Sequence, residues 1–183
     1  MPSSRQKIYE LNSDDITPFQ RIHRAMFDWL PWFFLFGLVL YGISKTILIA
    51  HNFSDSLPGT WYVINRLNNQ VIPGGLEKGD IVGFKYYGEV YPHGTVFAKH
   101  MVGMPGDIVT EKEREFFING ISVGKAKEKS LVGEPLEMNS FRGVIPAGKF
   151  WYATDSKDGF DSRYQISGLG DFQDIIGKAY LLF

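Results

Sequence analysis

The chain has 183 residues, with 19 Lys and Arg against 20 Asp and Glu, so its formal net charge is −1. This balance argues against a nucleic-acid-binding protein, since neutralising many phosphates usually requires a clear basic excess. The sequence contains no cysteine, which excludes disulfides, thiolate nucleophiles, iron–sulfur clusters and cysteine-bound zinc. A hydrophobic content of 44% excludes an intrinsically disordered chain.

The N-terminal part of the chain predicts a membrane anchor. Residues 1–25 are polar with little periodicity, which indicates a short cytoplasmic tail. An uncharged stretch runs from Trp29 to Ser44 and continues apolar, after Lys45, to Ala50. A membrane span needs about 20 mainly apolar residues, so we predict a transmembrane helix over residues 26–50.

Two alternatives to a membrane span are a buried core helix and a cleaved signal peptide. The run is longer than the usual apolar region of a signal peptide and lacks a clean small-residue cleavage site. Basic residues precede the span at Arg5, Lys7, Arg21 and Arg24. By the positive-inside rule we expect the N-terminus in the cytoplasm and residues 51–183 outside the cytoplasmic membrane.

Residues 51–183 predict a compact all-β domain. Short segments rich in Val, Ile, Phe and Tyr alternate there with Gly and Pro, and candidate strands begin at Trp61, Asp80, Thr95 and Asp107. The dipeptide Asn119-Gly120 between two apolar segments predicts a hairpin with a type I′ turn. Segments 149–155 and 175–183 predict a last strand pair. The expected fold class is therefore mainly β, with one N-terminal transmembrane helix.

Three clusters place a chemically reactive residue beside Gly or Pro: FSDSLPGTWYV from Phe53, FAKHMVGMPGD from Phe97 and TDSKDGFDSRY from Thr154. A serine hydroxyl is a poor nucleophile without a neighbouring base. Lysine serves as that base only when neutral, which requires burial among apolar groups to lower its pKa. Because alternate residues of a strand share a face, Phe97 and Met101 are expected beside Lys99.

His100, with Asp161 behind it, is a rival base. Lys99 and His100 point to opposite faces of a strand, so only one of them can meet Ser56. The residue types alone leave this choice open. The four histidines lack ligand-like spacing, so the sequence predicts no metal site.

Taken together and in this order, the clusters resemble the signal peptidase I family of membrane-anchored serine proteases, peptidase S26. Ser56-Leu57-Pro58 is similar to the nucleophile box of that family, Lys99 with the following VGMPGD to its lysine box, and the DSRY that begins at Asp161 to its third box. The nucleophile box most resembles the conjugative-transfer branch. The short distance between Asp107 and Trp151 fits a small member of the family, with a small signal-peptidase-like all-β catalytic domain.

The resemblance implies a serine endopeptidase in which Ser56 is the nucleophile and Lys99, rather than the neighbouring histidine, is the base. It suggests Asp161 as a third catalytic element, with Arg163 supporting that carboxylate. Ser54 occupies the position where family members offer an oxyanion donor beside the N–H of the nucleophile. No cofactor is implied.

The resemblance also implies a substrate and a location. The substrate is expected to be an exported or membrane-inserted precursor protein, in particular a conjugative pilin precursor of a type IV secretion system, which is cleaved or cyclised. The alternatives are a general signal peptidase I that removes leader peptides, and a non-catalytic membrane-anchored assembly module. We expect a single-pass protein of the bacterial inner membrane, in contact with the lipid bilayer, with its catalytic domain on the periplasmic or extracellular side.

Overall fold

A computed structural model of the chain describes residues 17–66 and 75–183. The chain divides into two compact units, with the boundary between Ile43 and Ser44. Most of the expected cytoplasmic tail, residues 1–25, lies outside the described residues.

Helix α1, Pro18–Thr46, forms the described part of the first unit and extends past its boundary to Thr46. Proline suits the first turn of a helix, because its missing N–H has no intrahelical partner there. The part of the helix from Ile22 to Thr46 is 25 residues long and apolar enough to cross a membrane. Its large apolar side chains are exposed, Phe34 for example to 76%, as expected of a helix that needs an apolar surrounding.

The helix ends four residues before the predicted end of the membrane span. Residues 47–50 form a strand instead, and Ile49 pairs with Val63 of a neighbouring strand. An apolar sequence alone does not distinguish a helix from a buried strand. The β-branched Ile47 and Ile49 favour the strand once a pairing partner is available.

The second unit is a β structure. Its described strands are β1 Ile47–His51, β2 Trp61–Arg66, β3 Ile81–Tyr86, β4 Thr95–Gly103, β5 Ile108–Lys112, β6 Glu115–Ile118, β7 Ile121–Lys125, β8 Gly143–Val144, β9 Lys149–Ala153, β10 Gly170–Asp171 and β11 Ile175–Leu181. A short 3-10 helix, Phe172–Asp174, precedes β11. The predicted mainly β fold with one N-terminal apolar helix is therefore confirmed.

The strands form two antiparallel sheets. One has the order β1-β2-β11-β3-β4-β9-β10 and the other the order β7-β6-β5-β8. The predicted pairing of the last two long segments is wrong, because β11 lies between β2 and β3 whereas β9 pairs with β4 and β10. Strand propensity reports which residues suit a strand and carries no information about a distant pairing partner.

The predicted hairpin is confirmed between β6 and β7. Ile118 faces Ile121 across the turn, and the two turn residues have positive φ angles, 50° at Asn119 and 82° at Gly120. These are the backbone angles for which Asn-Gly is favoured. The Asn119 amide also donates a hydrogen bond of 2.7 Å to Asp107, which ties the turn to the start of β5.

The core of the second unit holds the elements that carry the reactive residues. Leu57, next to Ser56, packs in one apolar cluster with Tyr62 and Ile64. Met101, two residues after Lys99 on β4, is fully buried in another cluster. Ser56 and Lys99 therefore each lie within two residues of a side chain that is fixed in the core.

Candidate active site

The loop that carries Ser56 is held by side-chain bonds to its backbone. The amide of Asn52 donates hydrogen bonds to the carbonyls of Leu57 (2.9 Å) and Gly59 (3.1 Å). The side-chain oxygen of Asn52 accepts a hydrogen bond of 3.2 Å from the Ser54 N–H. One asparagine thus bridges both sides of the nucleophile position, which restricts the backbone of Ser56.

Ser56 itself is only 6% exposed. Its carbonyl accepts a hydrogen bond of 3.0 Å from the N–H of Asp155, so the loop after β9 also holds it. Its hydroxyl lies 2.8 Å from the hydroxyl of Ser54. The structure therefore places the predicted nucleophile and the predicted oxyanion donor in direct contact.

Lys99 lies on β4 opposite Val82 of β3 and is 5% exposed. Its ammonium is 5.5 Å from the centre of the Phe97 ring. Burial lowers the pKa of Lys99 from 10.5 to about 8, and the negative charge of Asp161 opposes part of that fall. A buried amine with few polar neighbours is the environment that a lysine base requires.

Ser54, Ser56 and Lys99 line one cleft of about 680 Å³. Among the described residues, no hydrogen bond joins the hydroxyl of Ser56 to the ammonium of Lys99, and the partner of that hydroxyl is Ser54. Catalytic hydrogen bonds are often long before substrate is bound and tighten in the complex. A proton transfer between the two groups requires such a shortened contact or one bridging water.

Aromatic rings form one wall of the same cleft. Tyr91, Phe97 and Phe160 line it, with ring centres 5.2 Å apart for Tyr91 and Phe97 and 5.9 Å apart for Phe97 and Phe160. The rings meet edge to face, which is a favourable arrangement for aromatic pairs. This apolar wall supplies the low polarity that disfavours a charged lysine.

Asp161 is fully buried and does not line the cleft. One carboxylate oxygen accepts hydrogen bonds from the N–H (3.1 Å) and the Nε (2.8 Å) of Arg163. The other accepts from Arg163 Nη2 (2.7 Å) and from the hydroxyl (2.9 Å) and N–H (3.2 Å) of Thr154. A carboxylate offers about four lone-pair sites, so Arg163 and Thr154 occupy its acceptor capacity, and Asp161 acts on Lys99 through its charge.

Arg163 is 4% exposed and matches Asp161 with a bidentate ion pair. Its remaining donors reach the carbonyls of Lys125 (3.1 Å) and Ser156 (3.2 Å). Burial alone would lower the pKa of Arg163, but the hydrogen bonds and charge of Asp161 raise it above its ordinary value. The arginine therefore links the loop after β9, which holds Ser56, to β7.

His100 lies on the other face of β4 from Lys99, as strand alternation predicts. Its Nε2 is 3.4 Å from a carboxylate oxygen of Asp155 and its Nδ1 is 3.3 Å from the carbonyl of Gly79. The rival pairing of His100 with Asp161 is not formed, because the neighbour of the imidazole is Asp155. The structure brings Lys99, rather than His100, into the cleft with Ser56.

Three residues that hold the site have no role predicted from the sequence: Asn52, Thr154 and Asp155. Asn52 had a local signal, since an asparagine two residues before a serine commonly forms a side-chain turn. Thr154 and Asp155 act through contacts with Asp161 and Ser56. Asp155 reaches a residue about 100 positions away in the chain, and no local pattern encodes that contact.

The sequence model of the family described as signal peptidase, peptidase S26, matches residues 24–183. This chain belongs to that family. The resemblance that the three sequence clusters indicated is thereby confirmed. The signal peptidase family is a family of peptidases, and the match includes Ser56, Lys99 and Asp161 within its span.

Several signal peptidases are similar to the chain. Signal peptidase I P of Bacillus subtilis subsp. natto is 29% identical over 170 residues, which covers 85% of this chain and 88% of that protein. Signal peptidase IB of Staphylococcus aureus (strain N315) is 25% identical over 179 residues, covering 87% and 90%. Signal peptidase I U of Bacillus subtilis (strain 168) is 29% identical over 116 residues, so the alignment spans 60% of this chain and 59% of that protein.

A solved signal peptidase I from Enterococcus faecalis V583 is also similar in structure. It is 22% identical, and the match covers 56% of this chain and 95% of the other, with a TM-score of 0.39. The membership in the signal peptidase family rests on the match over residues 24–183.

Proposed function

We propose that the protein is a membrane-anchored serine endopeptidase that cleaves precursor proteins with a Ser56–Lys99 dyad. The observation that supports this proposal most directly is the shared cleft, in which Ser56 lies with a lysine whose pKa is about 8. At neutral pH about a tenth of such lysines are uncharged, against fewer than about one in a thousand at a pKa of 10.5. The burial of Lys99 therefore makes it available as a base.

In the proposed reaction, neutral Lys99 takes the proton of the Ser56 hydroxyl as the oxygen attacks the scissile carbonyl. The tetrahedral intermediate collapses, the peptide C–N bond breaks, and protonated Lys99 gives its proton to the leaving amine. An ester between the substrate and Ser56 remains. Water, deprotonated by Lys99, then attacks that ester and releases the acid product and the serine.

The negative charge on the tetrahedral intermediate requires hydrogen-bond donors. We assign this role to the N–H of Ser56 and to the hydroxyl of Ser54, which already lies 2.8 Å from the nucleophilic oxygen. A fixed hydrogen-bond donor stabilises the oxyanion more strongly in a water-poor cleft than in water, since the negative charge forms there in a medium of lower polarity. Asn52 positions this donor through its bond to the Ser54 N–H.

Asp161 enters the proposal as a positioning residue together with Arg163. Its carboxylate is saturated with hydrogen bonds, and its charge favours the protonated form of Lys99. Such a charge stabilises the lysine cation that forms when Ser56 attacks. The buried pair therefore assists the step in which Lys99 gains its proton.

The proposed substrate is a pilin precursor of a conjugative type IV secretion system. The support is the nucleophile box, in which Ser56-Leu57-Pro58-Gly59 resembles the conjugative-transfer branch. The ester on Ser56 can then be resolved by water, which gives a linear product, or by an amine of the substrate, which gives a cyclic peptide. Both routes share one covalent intermediate.

A general signal peptidase I that removes leader peptides is the second candidate function. The relatives favour it, since the similar proteins are named signal peptidase I of Bacillus and signal peptidase IB of Staphylococcus aureus. For either substrate we place the protein in the bacterial inner membrane through α1, with the peptidase unit on the periplasmic or extracellular side. The lipid bilayer is then its partner along the helix.

The test compares the detergent-solubilised full chain with Ser56→Ala and Lys99→Ala on a pilin precursor, with product masses as the readout. We expect the wild type to cut and both variants to lose activity by at least about a thousandfold. Ser122→Ala, in the exposed β7 strand, is the matched serine control. Full activity of both dyad variants would refute the mechanism. Lack of cleavage of any precursor by the wild type would favour the non-catalytic assembly module.

Two further measurements distinguish hydrolysis of the ester from cyclisation, and a dedicated pilin peptidase from a general signal peptidase. A product lighter by one water than the linear fragment indicates cyclisation. Rescue of a bacterium depleted of its own signal peptidase favours the general enzyme, whereas failure to rescue together with cleavage of the pilin precursor favours the dedicated one.

A further inference from the structure

A second cavity of the peptidase unit lies beside the active-site cleft. Its volume is about 870 Å³, and it is lined by the end of β7 with the segment that follows and by the loop after β9. Ser156 and Asp158 line both this cavity and the cleft that holds Ser56. Leu131, two residues after Lys129 of the cavity, also lines the cleft. The two cavities therefore share a wall, which is formed by the loop after β9.

This basic cavity carries a local excess of positive charge. Six basic side chains line it against three acidic ones: Arg114, Lys125, Lys127, Lys129, Lys157 and Arg163 against Glu128, Asp155 and Asp158. The whole chain, in contrast, has a net charge of −1. Such a concentration of one sign in a concave surface raises the local concentration of an oppositely charged ligand.

The acidic side chains of the cavity do not cancel this excess. Asp158 is paired with Lys127, so Glu128 and Asp155 are the acidic side chains that remain against Arg114, Lys125, Lys129 and Lys157. Arg163 is neutralised by Asp161. Within residues 17–66 and 75–183, the structure gives no ion pair to Lys129 or Lys157, which are both exposed.

The guanidinium of Arg114 also lines this cavity, and its positive charge acts on the nearby carboxylate of Glu111. The guanidinium donates to the carbonyls of Ala126 (3.0 Å), Lys127 (2.6 Å) and Leu136 (3.0 Å). Arg114 therefore holds in place the segment after β7 that lines the cavity.

We propose that this basic cavity binds an acidic side chain of the precursor, a few residues from the peptide bond that Ser56 attacks. The inference rests on the proposed peptidase function and adds a determinant of substrate choice. A peptide is favoured over a lipid headgroup because the cavity shares Ser156 and Asp158 with the cleft in which the peptide must lie. Lys129 and Lys157, which have no ion pair in the described residues, are the expected contacts.

The test uses the full chain in neutral detergent and a series of precursor peptides with one scissile site. Each peptide carries Asp, Asn or Lys at a single position, and the position is moved along both sides of the bond. We expect Asp to be preferred over Lys in kcat/KM by about threefold to tenfold at one position or two adjacent positions. Added salt should reduce this preference, because it screens exposed charges.

Variants of Lys129 and Lys157 test whether the preference for Asp peptides arises from the basic cavity. Lys129→Gln with Lys157→Gln should reduce the ratio of Asp to Lys peptides to about one, and Lys129→Glu with Lys157→Glu should invert it. Lys85→Gln with Lys112→Gln removes the same charge from exposed strand positions outside both cavities and should retain the wild-type ratio. Equal ratios in the two Gln variants, or no preference in the wild type at any position, would overturn the proposal.

A binding measurement separates this inference from the peptidase proposal. The Kd of labelled Asp, Asn and Lys peptides is measured with Ser56→Ala, which cannot form the ester. A preference for the Asp peptide that is lost in Lys129→Gln with Lys157→Gln supports the cavity even if the wild type cleaves nothing, in which case the peptidase proposal alone fails. If the lysine variants act only in vesicles containing phosphatidylglycerol and not in neutral detergent, the cavity binds a lipid headgroup and the inference is wrong.

Discussion

The hydroxyl of Ser54 lies 2.8 Å from the hydroxyl of Ser56. Before attack, the two oxygens share a hydrogen bond inside the cleft. In the proposed mechanism, the Ser56 oxygen gives its proton to Lys99 and bonds to the substrate, and the hydroxyl of Ser54 is then free to donate to the new oxyanion. The contact that is present before attack therefore also holds the Ser54 hydroxyl where it can donate to the oxyanion of the transition state.

Ser54→Ala should lower kcat by about tenfold to a hundredfold with little change in KM, because the lost bond forms mainly in the transition state. Initial rates over a range of precursor concentrations measure both constants. Ser122→Ala, on the exposed β7 strand, should leave both unchanged. A raised KM with an unchanged kcat would instead assign Ser54 to ground-state binding.

The rate of the wild type should depend on pH through Lys99. Its pKa of about 8 means that the neutral base is the minority form at pH 7 and the majority form above pH 8. We expect log kcat/KM to rise by about one per pH unit below pH 8 and to level off above it, since this profile reports the free enzyme. A limb centred near 6.5 would indicate a histidine as the base.

His100→Gln tests the rival base directly. The imidazole lies outside the cleft, with weak contacts to Asp155 (3.4 Å) and Gly79 (3.3 Å). We therefore expect kcat/KM within about threefold of the wild type and an unchanged pH limb, because a partly exposed pair contributes little. A loss as deep as that of Ser56→Ala would show that the dyad assignment is wrong.

The charge of Lys99 should also make the folded state less stable at neutral pH. Its folded pKa, about 8, is below the unfolded value of 10.5, so between these values the unfolded state binds more protons and stability rises with pH. Below pH 8 Lys99 is charged in both states, and its burial then lowers the free energy of unfolding by its full amount, about 3 kcal/mol. Lys99→Met removes this penalty and fills a similar volume.

The thermal midpoint of Lys99→Met, measured on the full chain in one detergent, should therefore exceed that of the wild type at pH 7. The difference should shrink towards pH 10, where the wild-type lysine is mostly neutral when folded. Lys112→Met, at an exposed strand position, should show no such pH-dependent gain. A lower midpoint for Lys99→Met at pH 7 would contradict the buried charge.

The features predicted correctly from the sequence are those that depend on nearby residues. Strand β2 begins at Trp61, as predicted, and the turn at Asn119-Gly120 has the two positive φ angles that its dipeptide favours. Period-2 alternation also placed Lys99 and His100 on opposite faces. All of these features depend on neighbours in the chain.

The missed features depend on partners far away in sequence. Ile47–His51 is apolar enough to continue α1 and becomes a strand because β2 is available to pair with it. Strand β11 lies between β2 and β3, and the loop after β9 reaches the Ser56 carbonyl through Asp155. Composition and periodicity do not specify such partners.

Variants of the buried ion pair between Asp161 and Arg163 test whether Asp161 is a positioning residue or a catalytic residue. Asp161→Asn leaves the guanidinium charged and buried without a counter-charge, so the free energy of unfolding should fall by about 3 to 5 kcal/mol. Replacing both residues, as Asp161→Asn with Arg163→Met, should cost less than Asp161→Asn alone, because no unpaired charge remains. Thermal unfolding of the full chains in detergent measures both effects.

The pH profile of folded Asp161→Asn completes this test. The negative charge of Asp161 raises the pKa of Lys99, so its removal should lower that pKa and move the acidic limb of kcat/KM below pH 8. If Asp161 acts only through its charge and its hydrogen bonds to Arg163 and Thr154, the plateau rate of the folded variant should fall by no more than about tenfold. A plateau as low as that of Lys99→Ala, with the limb unmoved, would instead identify Asp161 as a catalytic residue.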